Sequence, residues 1–381
     1  MLRGVFILLF AASVGLNVVL LTGGRPFSEQ HPLNREFESR EVDNSDVTTL
    51  ANTKAPNALL PSSTLNVEHQ THSLASSVKA EIDSWLAQGD VAAALFTVQQ
   101  ALRIEPENVA LRVLEVELES RSASARETLL AYYELFALPL NAAQKKDIER
   151  TIDTLSRKHI KALQSVSAWE VLSTFLEPLW QEAPDNDLYT LALAEAYAHQ
   201  HLFAPMENIL ASLAPNSADA RRIRAMALRE QGFSHSQQNT THTDHPSEIE
   251  SEYTRLPLQR IGRHFRASLR VNNEPVELLL DTGASTSVIK ASVFYQSNIG
   301  QYAKRIGLYD VNTAGGMTRG ELYHIKTLKV GDYTLPDTAV MVMPLEHFDQ
   351  ADGLLGMNVL GLFDFKIDQQ QDALYLSRLN H

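Results

Sequence analysis

The chain of 381 residues contains no cysteine. That excludes disulfides, thiol catalysis, thiolate zinc sites and lipid attachment at a cysteine. Positive charge is also short, since 33 Lys and Arg face 46 Asp and Glu for a formal net charge of -13. Nucleic-acid surfaces need clustered Lys and Arg that release counterions, and no such cluster occurs, so nucleic acid is not an expected partner. Long apolar runs are scarce, with one exception. Residues 4–22, GVFILLFAASVGLNVVLLT, are almost uncharged, and a helix rising ~1.5 Å per residue would just cross a ~30 Å hydrocarbon layer with them. They read as an uncleaved single-pass anchor. A cleaved signal peptide is the competing reading, but its apolar stretch is usually ~7–15 residues, and the small-residue AAS at 11–13 arrives too early for it. Arg3 favours a cytoplasmic N-terminus and places the bulk of the chain outside the cytoplasm.

With 44% apolar residues the rest can fill at least two cores. After the anchor (1–25), residues 26–73 are rich in Asn, Ser, Thr, Pro and Glu without a period, and read as a disordered linker. From 74 to 232 short amphipathic helices follow one another. Gly89 can end the first and Asp90 cap the next, and further helices are expected over 109–120, 124–137, 142–157, 168–181, 187–201 and 218–230. WLAQGDVAAALFTVQQALRIEPEN (85–108) resembles a tetratricopeptide repeat, and 191–216 a weaker copy, so an all-α helical-repeat solenoid is expected here. Such a stack either binds a protein partner on its concave face or serves as a plain spacer. A second polar linker spans 233–252; its His235, His242 and His245 read as solvated rather than as metal ligands.

From 253 to 381 the pattern is β. Alternating residues flank Asn272 and Asn273, which tolerate the positive φ of a tight hairpin, and more strands are expected over 307–313, 321–330, 338–343 and 373–377. Within this region ELLLDTGAST (277–286) runs three leucines into Asp281. A continuous apolar run implies a strand buried on both faces, which would hold its terminal carboxylate still. Thr282 and Gly283 follow, and glycine permits a sharp turn whose bare N–H can approach the acid. Taken alone, Asp-x-Gly is also ordinary turn chemistry.

LLLDTGASTSVI resembles the active-site signature of retropepsin-type aspartic proteases, in which a psi-shaped loop presents the acid. The family's second element, an apolar pair before glycine, is matched by Leu354, Leu355 and Gly356 in DGLLGMNVLGLF. Its glycine-rich flap is matched by VNTAGGMTRGELY (311–323). The resemblance covers about 253–381 and is to the bacterial membrane-anchored members. It implies a mainly-β acid protease domain, a periplasm-facing protein of the bacterial inner membrane, and no metal or organic cofactor. It also implies catalysis by Asp281 with Thr282 and Gly283, substrate contacts from Ala284, Ser285, Ala314, Gly315, Gly316 and Met317, and support of the site by Leu354, Leu355 and Gly356. Retroviral enzymes usually carry an acid where this chain has Ser285, so its grip on a substrate backbone differs.

Aspartic protease chemistry uses two carboxylates sharing one proton, whereas this chain has a single Asp-Thr-Gly; the nearest imitation, at Asp337, lacks the glycine. A symmetric homodimer in which each chain donates Asp281 is therefore expected, with protein or peptide as substrate and residues 372–379 as one interface strand. Two other readings stay open. One is a non-catalytic peptide-binding scaffold of the same fold, and the other a protease whose helical region is an intramolecular regulator.

Overall fold

The computed structural model describes residues 67–214, 217–238, 253–313, 315–345 and 348–379. The anchor at 4–22 lies outside the described residues, as do 26–66 of the first linker and 239–252 of the second. Among the described residues no helix is long and apolar enough to cross a membrane.

Nine helices of the described residues form the N-terminal layer: α1 Val67–Ala87, α2 Val91–Ile104, α3 Val109–Glu119, α4 Ala125–Glu134, α5 Ala142–Ser165, α6 Trp169–Glu182, α7 Asp187–His199, α8 Phe203–Leu210 and α9 Ala218–Gln238. The punctuation is local chemistry. Gly89 adopts φ +79° between α1 and α2, and the Asp90 side chain accepts from the Ala93 N–H to cap α2. Ser124 and Asn141 form reciprocal capping boxes with Glu127 and Gln144 at α4 and α5. The helices bury Leu129, Leu163, Leu172, Leu176 and Leu193 completely, each such burial stabilising by about 1.5–3 kcal/mol. The layer exceeds its expected bounds, because α1 starts at Val67 and α9 continues to Gln238. Neither extension, VEHQTHS nor FSHSQQ, contains Gly or Pro to stop a helix, although both are polar enough to read as linker. The layer is helical throughout, but the structure by itself does not establish a tetratricopeptide array.

The C-terminal third holds one sheet of ten strands among the described residues: β1 Thr254–Ile261, β2 His264–Val271, β3 Glu274–Leu280, β4 Val288–Lys290, β5 Ala303–Thr313, β6 Gly316–Val330, β7 Tyr333–Met343, β8 Gly353–Leu355, β9 Phe363–Asp368 and β10 Ala373–Arg378. The short helices α10 Ala291–Gln296 and α11 Met357–Leu360 lie between strands. The strand order is β5-β6-β7-β4-β8-β3-β2-β1-β10-β9. Asn272 and Asn273 take φ 48° and 72°, as the turn between β2 and β3 requires. One expectation is corrected. β10, within the anticipated interface strand 372–379, pairs with β1 on one edge and β9 on the other, so the outer edge of the sheet belongs to β9. The cause is the turn at 369–372, which folds the end of the chain back as a hairpin.

Helices and sheet share a core. Phe175, Ile152 and Leu172 of the helices cluster with Val288, Tyr309, Leu322 and Met341 of the sheet. Tyr309 is 1% exposed, and its hydroxyl lies 2.8 Å from His159 Nδ1 with the Phe175 ring edge-on to it. On the next residue the Asp310 carboxylate, side chain 6% exposed, accepts from the Ser124 hydroxyl at 2.7 Å and pairs with Arg126 Nε at 3.2 Å. Successive side chains leave a strand by opposite faces, so β5 is held from two sides. Removing one partner of a buried pair of this kind costs about 3–5 kcal/mol.

Burial, with the neighbouring Lys158 charge, lowers the His159 pKa from 6.5 to about 4. The folded protein thus binds this proton less well than the unfolded chain. The contribution of the His159 pocket is fully present above pH 6.5 and is lost as pH falls toward 4; at low pH the loss reaches about 3 kcal/mol. His159→Gln should remove that component, seen as a smaller change than wild type in urea unfolding free energy between pH 7 and pH 4.

Candidate active site

Asp281 stands immediately after β3, whose Leu278 and Leu279 are 2% and 4% exposed while Leu280 is half-buried. The strand is flanked by β2 on one side and by β8, in parallel register, on the other. The Asp281 N–H donates to the Leu355 carbonyl at 3.1 Å, so the acid enters its loop still tied to β8. Its Oδ1 accepts from the Gly283 N–H at 2.9 Å. A Cβ on Gly283 would sit 3.2 Å from that same oxygen, which accounts for glycine two residues past the acid. Asp281 is half-exposed, and Thr282 and Gly283 are exposed at the loop tip.

The loop is fixed from behind by 353–358. Met357 and Asn358 donate their N–H groups to the Ala284 and Ser285 carbonyls at 2.7 and 2.9 Å. Asn358 Oδ1 accepts from both the N–H and the hydroxyl of Ser287 at 2.8 Å, and its Nδ2 donates to the Ala339 carbonyl. Ser287 Oγ in turn accepts from the Gly356 N–H at 3.0 Å. Backbones meet here without room for side chains: a Cβ on Gly356 would lie 2.7 Å from the Ala284 carbonyl oxygen and 2.9 Å from the Ser287 nitrogen. Leu355 belongs to the core beneath the loop, and half-buried Leu354 lies on the opposite face beside Leu279. Leu354, Leu355 and Gly356 thus lie against or beneath the loop. Ser287, Asn358 and Gly353 were not singled out from sequence. Asn358 inside an otherwise apolar GMNVLGLF was the available signal, because a polar side chain in such a run must find partners.

The β5–β6 hairpin occupies the position expected of the flap, with Thr313 and Gly316 closing its end and Gly316 at φ +105°. Gly315 and Met317 are exposed there, and Ala314 lies outside the described residues. Met317 Sδ accepts from Arg126 and Arg319 pairs with Glu127, so these flap residues face α4. Ala284 and Ser285 contribute their carbonyls to the loop's own fixation.

Residues 267–361 match the family model described as "gag-polyprotein putative aspartyl protease". The matched stretch contains the acid, the flap and the apolar pair with its glycine. The likeness is to an aspartyl protease family and is confined to this part of the chain. A crystal structure of a retropepsin-like aspartic protease from Rickettsia conorii is similar at 22% identity, covering 32% of this chain and 89% of that one, with a TM-score of 0.25. No curated protein matches the chain.

In the sheet domain, Asn358→Ala would orphan the Ser287 N–H and hydroxyl and the Ala339 carbonyl, for a loss of about 2–3 kcal/mol. Gly356→Ala, which drives a methyl into backbone, should cost at least ~3 kcal/mol. Thermal unfolding of both variants checks these values.

Proposed function

We propose that the chain is an aspartic endopeptidase whose active centre forms from the Asp281 carboxylates of two identical chains. The observation that supports this is a single half-exposed acid, fixed at the end of a buried strand and hydrogen-bonded to the glycine two residues on. Two such acids about 3 Å apart cannot both ionise, so the pair keeps one proton. The ionised member takes a proton from the attacking water, while the protonated member gives its own to the peptide carbonyl oxygen. The resulting tetrahedral diol collapses when the amide nitrogen is protonated and leaves. A single chain supplies only half of this chemistry.

Pairing would bring Thr282, exposed at the loop tip, opposite its counterpart, with the edge of β9 that is unpaired among the described residues available to extend the sheet into a second copy. Glycine-rich flaps would close over an extended peptide between the two loops. The apolar segment at 4–22 supports tethering in a bacterial inner membrane with the protease domain on the periplasmic side. Two chains held in one bilayer have a raised effective concentration, which favours pairing. The helical layer, in this reading, is the part of the chain that meets protein substrates.

Asp281→Asn should lower cleavage of unfolded β-casein by about 10²–10⁴-fold. Equal cleavage by both proteins removes the catalytic assignment. Mixing wild type with excess Asp281→Asn should depress activity as subunits exchange, whereas a strictly monomeric species in sedimentation that still cleaves casein contradicts the shared centre.

A further inference from the structure

The helical layer lies on the face of the sheet from which Asp281 emerges. Alternation along β3 sends Leu278 and Leu280 into the core beneath the loop, and Leu279 to the opposite face, where it meets Leu354. Asp281, two residues past Leu279, follows the Leu279 face. Register carries this face across the sheet from Leu279 to Leu354, then Val288, Met341 and Leu322. Gly320, two residues before Leu322, pairs with Tyr309 of the flap, completing the strip. An extended peptide that presented a bond to Asp281 would lie along these side chains.

Beyond Leu279, which packs with Phe348 and Ala351, that strip is already covered. Val288, Tyr309, Leu322 and Met341 share a single apolar cluster with Ile152 of α5 and Phe175 of α6, and the half-buried Val311 and Leu354 pack against it. The flap above is held at the same time: Asp310 by Ser124 and Arg126, Met317 by Arg126, and Arg319 by Glu127. A cavity of about 560 Å³ is lined by Leu95, Val116, Glu119 and Arg319, and one of about 670 Å³ by Arg270, Asn272 and Lys326, neither reaching Asp281.

We propose that the protein is self-inhibited in this arrangement: α5 and α6 occupy the part of the strip nearest the flap, which a substrate would use, and the Ser124–Asp310–Arg126 contact holds the flap against α4. The proposal rests on the reading of Asp281 as catalytic. Cleavage then requires the helical layer to separate from the β5–β6 hairpin. Ser124 and Arg126 are positioning residues, since they act on the flap and not on the reacting atoms.

The absence of cysteine provides a test that does not depend on activity. In a Val311→Cys chain the single thiol lies at the covered strip, and its alkylation by a polyethylene-glycol maleimide reports uncovering. Arg126→Glu, which sets a carboxylate against Asp310, should speed labelling at least tenfold. The exchanged pair Arg126→Asp with Asp310→Arg should return it toward the slow rate. In chains with native Val311, Arg126→Glu should raise kcat/KM for unfolded β-casein at least fivefold over wild type. Unchanged labelling in Arg126→Glu, with native circular dichroism, overturns the proposal, as does faster labelling with kcat/KM no higher than wild type. Faster labelling when no form of the chain cleaves casein leaves the cover standing and instead removes the protease reading.

Discussion

The Gly356 backbone lies against Ala284 and Ser287 with no space for even a methyl group, and the site depends on that close approach. It lets Met357 and Asn358 reach the loop carbonyls, lets Ser287 receive the Gly356 N–H, and leaves Asp281 tied through its own N–H to Leu355. A carboxylate on a loose loop would sample many positions, and these contacts hold Asp281 to one. The leucines of β3 supply the burial, but the rigidity of the turn comes from hydrogen bonds between backbone segments about 70 residues apart.

The same economy of space governs the outer face of the sheet. Gly320 leaves room for the Met341 side chain, whose sulfur lies where a Cβ would be, and Met341 joins the apolar cluster shared with the helices. Tyr309 then enters the helical layer with its hydroxyl matched to His159, and Asp310 meets the N-terminus of α4 at its capping serine. A carboxylate at a helix N-terminus is favoured by the exposed N–H groups and the helix dipole. Helices and sheet are thus joined by specific polar pairs set in an apolar contact.

Much of this was legible in advance where the signal is local. Gly89 with Asp90, the paired asparagines at 272 and 273, the leucine run before Asp281, and the glycines of the flap each announce a conformation within a few residues of chain. The helix ends over 67–73 and 233–238 were misread because polarity resembles linker when no breaker is present. The role of β10 as an inner strand was also hidden, since which edge a terminal hairpin offers depends on pairings outside the hairpin. Ser124, Asp310 and Tyr309 carried no mark at all. An N-cap serine and a strand aspartate look ordinary until residues 186 apart in sequence are brought together.

That long separation has a temporal side. The helical layer leaves the ribosome well before β5, and at ~5–20 residues per second the interval over 186 residues is about 10–40 s. From the synthesis of His159 and Phe175 until Tyr309 follows, the helix surface built around them has no strand to receive and stays exposed. The order of translation therefore makes the helical surface before the strand that packs on it, and the sheet, finishing last, folds against a surface already waiting for it.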